Sequence, residues 1–310
     1  MCKILDIRNF NGEIIQGESM SAHTSYKIGG KAKYYIIVND ITSLKNTLTF
    51  LKNNNIDYFI LGGGSNLLIS DEGYDGAIIR LEGDFRSIEF DSLSKNYKVG
   101  AGLSLAKLVN TTKANFHKGF EFAIGTPGTV GGAIKMNAGT QDHWISSQLL
   151  ECEILDENND VVSKSVDEIE WGYRYSSIAD SEIVLSAVFN VEVLTNKEEK
   201  DCLINKMNNR LTFRKEHQPL NHPSCGSVFK NPPGNSAGRL IDSLGYKSRQ
   251  FGGAMVSSKH ANFIVNINNA KAHDVIFLIK DIQKKVYDKY SVKLIPEVKF
   301  LGFNESCSLF

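Results

Sequence analysis

The sequence predicts an α+β fold in which strands and helices both occur without alternating regularly. Short apolar runs typical of strands lie at 33–38 and 58–61, whereas apolar residues at helical spacing lie at 41–51 and 275–286. No βαβ rhythm extends over the whole sequence, as a doubly wound parallel sheet would require. A Rossmann fingerprint is also missing, because Leu67 stands where GxGxxG needs its third glycine. We therefore expect a non-Rossmann fold.

Length and composition indicate a globular protein with more than one domain. The chain has 310 residues, of which 42% are hydrophobic and 23% charged, close to the averages for packed domains. Its 35 basic and 35 acidic residues cancel, which argues against nucleic acid as a partner. No segment approaches the roughly 18 apolar residues of a membrane span, and no leader-like core opens the sequence. We expect a cytoplasmic protein without a membrane partner.

The cysteines and histidines predict neither disulfides nor a metal site. The cysteines are odd in number and widely spaced, and they form no CxxC pair: Cys2, Cys152, Cys202, Cys225 and Cys307. This pattern fits a reducing compartment. His217 and His222 lie five residues apart but have no acidic or thiol residue at metal-ligand spacing, so we expect no metal.

The first predicted region, residues 1–82, contains a strand, a helix and a second strand. A strand at 33–38 precedes a helix whose apolar stripe recurs at spacings of three, four and three: Ile41, Leu44, Leu48 and Leu51. Three asparagines at 53–55 end this helix. The second strand, at 58–61, runs directly into a run of three glycines.

The second predicted region, residues 83–198, begins with a helix and continues with strands. Ser104 is placed to cap a helix with its apolar face on Leu105, Leu108, Val109 and Thr112. Residues 150–194 alternate as strands do, with a turn at 157–160. The charged stretch 196–201 fits a linker and the start of a solvated helix equally well.

The third predicted region, residues 199–310, ends the sequence with one clear strand, one clear helix and an extended segment. The strand is expected at 263–267 and the extended segment at 294–301. The helix between them shows apolar residues four, three and four apart: Val275, Ile279, Ile282 and Val286.

Two glycine-rich loops are the first indication of a ligand. The loop at 62–66 (GGGSN) follows a strand, and its glycines allow close backbone approach and free N–H groups for an anion such as a pyrophosphate. A tight turn without a ligand is the alternative. The loop at 125–132 (GTPGTVGG) is denser in glycine and costly to order, so it needs a function or a close backbone crossing. Together the loops favour a dinucleotide.

Nine short motifs, in order, resemble the UDP-N-acetylenolpyruvoylglucosamine reductase (MurB) family over residues 20–302. They are residues 24–30 (TSYKIGG), 62–68 (GGGSNLL), 125–133 (GTPGTVGGA), 136–139 (MNAG), 172–174 (GYR), 223–232 (PSCGSVFKNP), 237–242 (AGRLID), 256–263 (VSSKHANF) and 296–298 (PEV). Each motif alone is weak, but their order and spacing are specific. The short interval between Arg174 and Ser227 resembles the class of this family that lacks a substrate-capping loop.

The resemblance implies an FAD-binding region of two subdomains followed by a C-terminal α+β substrate-binding domain. It implies that NADPH reduces noncovalently bound FAD, which then reduces UDP-N-acetylglucosamine enolpyruvate to UDP-N-acetylmuramate for peptidoglycan synthesis, in a protein expected to be a monomer. Another FAD-dependent oxidoreductase, or an inactive nucleotide-sugar-binding protein, is the alternative. The cofactor residues that it implies are Gly62, Gly63, Gly64, Ser65, Asn66, Gly125, Thr126, Pro127, Gly128, Thr129, Gly131, Gly132 and Ala133.

The same resemblance implies three catalytic residues. Arg174 would polarise the substrate carboxylate, since a guanidinium is a permanent planar donor. Ser227 would deliver a proton to the carbanion carbon, and Glu297 would stabilise or orient the enolic intermediate. The ordinary alternatives are a surface stacking arginine between two tyrosines, a serine in a turn after Gly226, and a solvent-facing strand glutamate.

Further residues are expected to contact the substrate, and two positions depart from the family pattern. The expected substrate-binding residues are Tyr173, Lys230, Asn231 and Lys259, the last of which fits a surface lysine equally well. Residues 140–144 (TQDHW) depart from the small and aromatic residues often found there in the family, which puts local flavin contacts in doubt. Cys225 replaces another small residue, and we expect it to be buried and inert rather than an oxidation-sensitive thiol.

Overall fold

The computed structural model describes Ile7, residues 9–140 and residues 143–303, and it divides into two compact units. The first unit comprises the described residues up to Ile14, Tyr35–Gly63 and Ile78–Arg214. The second comprises Ile15–Tyr34, Gly64–Ala77 and the described residues from Lys215 onward. Cys2, Gln141, Asp142 and Cys307, which belong to the sequence features above, lie outside the described residues. The predicted three-region division remains a prediction.

The strands are numbered here along the sequence. The N-terminal ones are β1 (Gly12–Ser19), β2 (Lys31–Val38), β3 (Tyr58–Leu61), β4 (Leu67–Ile69), β5 (Tyr74–Leu81), β6 (Ile88–Asp91), β7 (Asn96–Gly100) and β8 (His117–Lys118). Those that follow are β9 (Leu149–Leu155), β10 (Val161–Ser165), β11 (Trp171–Gly172), β12 (Tyr175–Ser176), β13 (Ile183–Asn190), β14 (Glu192–Val193), β15 (Gln250–Phe251), β16 (Ala254–Val256), β17 (Ile264–Asn266) and β18 (Lys299–Leu301).

The helices are interspersed among these strands. The α-helices are α1 (Ile41–Asn53), α2 (Leu105–Ala114), α3 (Val130–Lys135), α4 (Lys197–His217), α5 (Ala237–Asp242) and α6 (Ala272–Tyr290). Short 3-10 turns lie at Met20–Ala22, Gly83–Arg86, Glu121–Ala123, Ile145–Ser147 and Val166–Glu168. The mixture without βαβ repetition confirms the predicted α+β class.

A five-stranded antiparallel sheet in the order β10-β9-β13-β7-β6 forms the centre of the first unit. Its middle strand β13 is buried along most of its length, and Ala187 lies opposite Cys152 of β9. Helix α3 packs against β13. Because α3 begins inside the second glycine-rich loop, the buried strand gives that loop a rigid support. A four-stranded sheet in the order β1-β2-β5-β3 lies elsewhere in the protein.

The core of the second unit is built around α6. Its buried residues recur at helical spacing, and Val275, Ile279 and Ile282 pack with residues of α5, β16 and β17 in one apolar cluster. The three-stranded sheet β15-β16-β17 and the parallel pair β18-β4 complete the unit. The cluster includes Val228 and Phe229, which follow Ser227 directly. The segment that carries Ser227 is therefore anchored in the core.

A carboxylate distant in sequence caps the start of α6. The two oxygens of Asp71 accept hydrogen bonds from the backbone N–H groups of Ala272 at 2.8 Å and His273 at 3.0 Å. These N–H groups have no partner within the helix, and an anion there is also favoured by the helix dipole. Asp71 thus ties the N-terminal part of the second unit to its longest helix.

Most predicted elements are confirmed, with small shifts at their ends. Helix α1 and strand β3 match their predicted extents, and Ser104 caps α2 by accepting from Lys107 N–H at 3.2 Å. The charged stretch at 196–201 is not a linker, since α4 starts at Lys197. The loop at 125–132 also differs from prediction, because its last three residues belong to α3.

Within the described part of the sequence, no helix combines the length and the apolar character that crossing a membrane requires. The same residues include no group of three or more His, Cys, Asp or Glu side chains arranged to hold a metal ion.

Candidate functional site

The first glycine-rich loop offers backbone donors that the protein itself does not use. The loop starts where β3 ends, and Gly64 has a φ of 60°, in the left-handed region that glycine tolerates best. Among the described residues, the N–H groups of Gly63, Gly64 and Ser65 donate to no acceptor. Successive N–H groups of this kind form an anion-binding concavity.

The two glycine-rich loops touch through their backbones. A β-carbon added to Gly63 would lie 2.7 Å from the Cα of Gly128, and one added to Gly62 would lie 2.7 Å from the Thr129 hydroxyl oxygen. Real β-carbons do not approach backbone atoms so closely, so position 63 requires glycine, whereas a side chain at position 62 would displace the Thr129 hydroxyl. The close backbone crossing anticipated from the sequence is therefore present within the first unit, where Gly62 and Gly63 meet Gly128 and Thr129.

The second loop is fixed by backbone hydrogen bonds to residues 101–105. Val130 N–H donates to Leu103 C=O and Gly131 N–H to Ala101 C=O, both at 2.9 Å, while Leu105 N–H donates to Gly128 C=O at 3.0 Å. The Thr129 hydroxyl accepts from Gly132 N–H at 3.4 Å and caps α3. In the same loop, Thr126 is half-buried, Pro127 exposed and Ala133 buried.

Arg214, which belongs to none of the sequence motifs, lies across Gly125. A β-carbon on Gly125 would stand 3.3 Å from Arg214 Nε and 3.5 Å from its Cδ. Burial lowers the pKa of the Arg214 guanidinium, which donates to no acceptor among the described residues. A partly buried cation is most stable with an anion beside it. No local sequence signal marks Arg214, because its neighbour Gly125 lies 89 positions earlier (214 − 125).

Arg174 lies against a pair of aromatic rings of the first unit, which contact each other edge to face. Its guanidinium carbon is 5.3 Å from the centroid of Tyr173 and 5.8 Å from that of Trp144, and its Nη1 donates to Gly139 C=O at 3.1 Å. The backbone of Arg174 is left-handed, with a φ of 56°. Such strain in a non-glycine residue clusters at functional sites. Of the two tyrosines that flank Arg174 in the sequence, Tyr173 contacts its guanidinium, and the second ring, Trp144, comes from the departure at 140–144.

Ser227 and Glu297 lie on adjacent antiparallel segments of the second unit. Glu297 N–H donates to Val228 C=O at 2.7 Å, and Lys230 N–H donates to Ile295 C=O at 2.9 Å. Phe229 and Pro296 face each other between these bonds. The side chains of Ser227 and Glu297 are both half-buried. The structure therefore places the segments that carry these two residues side by side, although the residues are 70 positions apart (297 − 227).

Cys225 is buried, as expected. Burial raises its pKa to about 12, and the nearby Glu297 carboxylate contributes in the same direction. A thiol with so high a pKa is almost fully protonated at neutral pH and a poor nucleophile.

The candidate substrate residues of the second unit lie at its surface. Lys230 is half-buried, whereas the exposed Asn231 accepts a hydrogen bond from Ala237 N–H at 3.0 Å, at the start of α5. Lys259 is exposed and its Nζ donates to Lys215 C=O at 2.7 Å. Lys259 lines a cleft of about 360 Å³ together with Lys215, Gln218, Pro219, Leu220, Asn221, His222, Met255, Ser257, Ser258 and Val265.

The residues present fit an FAD site. The two loops cross at Gly63 and Gly128, the first loop offers unused N–H donors, and Arg214 supplies a partly buried positive charge beside Gly125. These are the features that a pyrophosphate between two nucleosides requires. The protein's own geometry therefore suits this cofactor.

Comparison with known protein families matches two parts of the sequence. Residues 32–164 match an FAD binding domain. Residues 218–301 match the C-terminal domain of UDP-N-acetylenolpyruvoylglucosamine reductase.

Individual relatives cover nearly the whole sequence. The UDP-N-acetylenolpyruvoylglucosamine reductase of Caldanaerobacter subterraneus is 41% identical over 292 residues, covering 94% of both proteins. That of Bacillus licheniformis is 38% identical over 94% of this chain and 95% of its own. The crystal structure of the Thermus caldophilus UDP-N-acetylenolpyruvylglucosamine reductase matches with a TM-score of 0.79 at 32% identity, covering 94% of this chain and 99% of that one.

Two glycine substitutions, one at the crossing of the loops and one away from it, should test whether FAD binding requires that crossing. Gly63→Ala should abolish the crossing and FAD binding, because its β-carbon meets Gly128 backbone. Gly132→Ala meets only the Thr129 hydroxyl at 3.4 Å and lies in α3, so it should stabilise the FAD-free protein by roughly 0.5–1 kcal/mol. Denaturant unfolding and FAD titration measure both effects. FAD affinity unchanged by Gly63→Ala would contradict the crossing as a requirement for binding.

Proposed function

The chain belongs to the UDP-N-acetylenolpyruvoylglucosamine reductase family, and on this basis we propose that it uses NADPH and FAD to reduce UDP-N-acetylglucosamine enolpyruvate to UDP-N-acetylmuramate. This is an oxidoreductase step of peptidoglycan precursor synthesis and thus of cell wall biogenesis. The observation that carries the proposal is the backbone crossing of Gly63 and Gly128 beside unused N–H donors. The match of residues 218–301 favours this reaction over other FAD-dependent chemistry.

The cofactor residues are proposed to be those of the two glycine-rich loops other than Asn66, with Arg214 in addition. The N–H groups of Gly63, Gly64 and Ser65 would meet the pyrophosphate, and Arg214 would neutralise an anionic part of the cofactor. When bound, FAD supplies the transfer of a hydride from NADPH to the substrate. The remaining chemistry belongs to side chains of this protein.

Arg174 is proposed to stabilise the charge that develops on the substrate carboxylate. A hydride adds to the terminal carbon of the enolpyruvyl C=C bond, and the electron pair of that bond moves toward the adjacent carbon and its carboxylate. A guanidinium stays protonated throughout and offers planar donors to a carboxylate. The rings of Trp144 and Tyr173 and the bond to Gly139 C=O hold the Arg174 side chain in a defined position.

Ser227 is proposed to complete the reaction by giving its hydroxyl proton to the adjacent carbon, which becomes the lactyl ether carbon. A serine hydroxyl is a weak acid, so the transfer relies on a strongly basic carbon and on close placement. Glu297 is proposed to orient the enolic intermediate beside Ser227. The antiparallel pairing of their two segments supports a shared task.

The sugar nucleotide is proposed to contact the surface of the second unit through Lys230, Asn231 and Lys259, with Tyr173 as a further contact. The cleft at Lys259 carries a second lysine and His222, so its chemistry suits a diphosphate. The bond from Lys259 to Lys215 C=O fixes the direction of its side chain and leaves its charge in the cleft.

Location, assembly and domain division are proposed from the sequence. We propose that the protein is a cytoplasmic monomer. Residues 1–82 and 83–198 would form two FAD-binding subdomains, and residues 199–310 would form the substrate-binding domain. The odd, scattered cysteines support the cytoplasmic location. Sedimentation equilibrium of the FAD-loaded protein should give the mass of one chain, 34.4 kDa, and a mass of two chains would contradict the monomer.

Substitution of Ser227 should separate the two half-reactions. Ser227→Ala should leave bleaching of the flavin by NADPH intact but slow its reoxidation by the enolpyruvyl sugar nucleotide roughly 10²–10⁴-fold, since a positioned proton donor is lost. Anaerobic stopped-flow absorbance measures each step. Ser224→Ala, in the same loop, is the matched control. Normal turnover of Ser227→Ala would remove Ser227 from the mechanism.

Substitution of Arg214 should weaken cofactor binding. Arg214→Met keeps the apolar stem over Gly125 but removes the charge, so the FAD Kd should rise roughly 10- to 100-fold, in line with the loss of a charge-assisted hydrogen bond. Titration of FAD-free protein followed by flavin fluorescence measures the Kd. Arg210→Met, one turn earlier on α4, is the control. An FAD Kd unaffected by Arg214→Met would show that this cation serves another purpose.

A further inference from the structure

Asn66 was expected to contact FAD, but its side-chain amide is used elsewhere. Asn66 Nδ2 donates to the backbone carbonyl of Glu297 at 3.0 Å, across 231 positions of sequence. The backbone carbonyl of Asn66 accepts from Lys299 N–H, also at 3.0 Å. Asn66 therefore holds the segment around Glu297 through both its side chain and its backbone.

Asn262 holds the segment after Ser227 in a similar way. Its Oδ1 accepts from Phe229 N–H at 3.0 Å, and its Nδ2 donates to Phe229 C=O at 2.9 Å. Its backbone carbonyl accepts from Val228 N–H at 2.8 Å. Asn262 is only 4% exposed, so water does not compete for these bonds.

These bonds form one continuous series through the two proposed catalytic segments. Asn262 binds Val228 and Phe229, Val228 C=O accepts from Glu297 N–H, and Glu297 C=O accepts from Asn66. All backbone donors and acceptors of Val228 and Phe229 are satisfied in this way, as are both of Glu297. A slip of either segment would break several of these bonds at once, so their register is fixed.

We propose that Asn66 and Asn262 are positioning residues for proton delivery, which act by holding Glu297 and Ser227 in one register. Neither side chain touches the substrate in this role. The inference rests on the proposed function, because it gives a purpose to the register of Ser227 and Glu297. It also reassigns Asn66, whose amide serves Glu297 rather than the flavin.

The physical reason is the weak acidity of serine. A donor of high pKa protonates carbon only when it is placed within hydrogen-bond distance and correctly aimed. A displacement of about 1 Å in such a step reduces its rate on the order of 10²-fold. Hydride addition at the neighbouring carbon depends on other groups, so loosening the two segments should affect the proton step selectively.

Hydrogen exchange tests the physical link without cofactor or substrate. In FAD-free Asn66→Ala protein, the amides of Glu297 and Lys230 should exchange on the order of tenfold faster than in wild type, since one bond of the series is lost. Amides in the middle of α6 should keep their wild-type rates. Unchanged exchange at Glu297 would show that Asn66 does not hold this segment, and would overturn the proposal.

Single-turnover kinetics test the functional consequence in FAD-loaded protein. Asn66→Asp and Asn262→Asp each replace an amide donor with an acceptor of the same shape, and Asn262→Asp keeps the acceptor for Phe229 N–H. Both should slow reoxidation by the enolpyruvyl sugar nucleotide on the order of 10²-fold. Reduction by NADPH should stay within about twofold of wild type. Equal slowing of both half-reactions would identify Asn66 as a flavin contact and overturn the proposal.

The configuration of the product distinguishes positioning from general destabilisation. In wild type the proton reaches one face of the adjacent carbon, giving one lactyl diastereomer, whereas both Asp variants should give a mixture because solvent supplies part of the protons. Turnover in D₂O followed by NMR of the product measures the ratio. A single diastereomer from both variants would overturn the proposal.

Asn266 provides the matched control. It is a buried asparagine of the same unit, and its side chain likewise donates to a backbone carbonyl, that of Tyr26, and accepts from a backbone N–H, that of Ala270. Asn266→Ala should lower the Tm but retain fast reoxidation and one diastereomer. If it matches the Asn262 variant in all readouts, destabilisation explains the effect and the proposal fails. Failure of wild-type protein to reoxidise with the sugar nucleotide would instead refute the proposed function.

Discussion

The backbone contact between Gly63 and Gly128 is the constraint on which the first unit depends. A β-carbon at Gly63 would lie 2.7 Å from the Cα of Gly128, so the loops can cross only if side chains are absent there. Ordering so many glycines has a high entropic cost. The cost is offset by rigid support, because the second loop bonds to residues 101–105 and α3 packs on the buried strand β13.

The sequence predicts elements whose signal is local. The stripe of α1 and the apolar run of β3 are complete within about a dozen residues, and both are confirmed. Helix α4 carries no such signal, since of its 21 residues only Leu203 and Met207 are buried and the rest are largely polar. A helix without an apolar stripe cannot be told from a charged linker by pattern, and its structure is settled by tertiary contacts.

Site residues that lie in recognisable motifs can be predicted from the sequence. Contacts between site residues that are far apart in the sequence cannot. Ser227 and Glu297 were identified through motif resemblance, and the structure places their segments side by side. The contact of Arg214 with Gly125 and the bond of Asn66 to Glu297 join residues 89 and 231 positions apart. Such pairings arise only after folding, and an asparagine in a glycine-rich motif gives no sign of which carbonyl it will meet.

If Ser227 is the proton donor, as proposed, its surroundings control its placement and not its acidity. Cys225, two residues earlier, has its pKa raised to about 12 by burial and by Glu297, so it adds no negative charge to the loop at neutral pH. The Cys225 thiol therefore adds no second negative charge beside the Glu297 carboxylate. What remains to be controlled is placement, and here the backbone is held from both sides by Asn262 and by the Glu297 segment. In the proposed proton transfer, rigid placement would compensate for the weak acidity of the Ser227 hydroxyl.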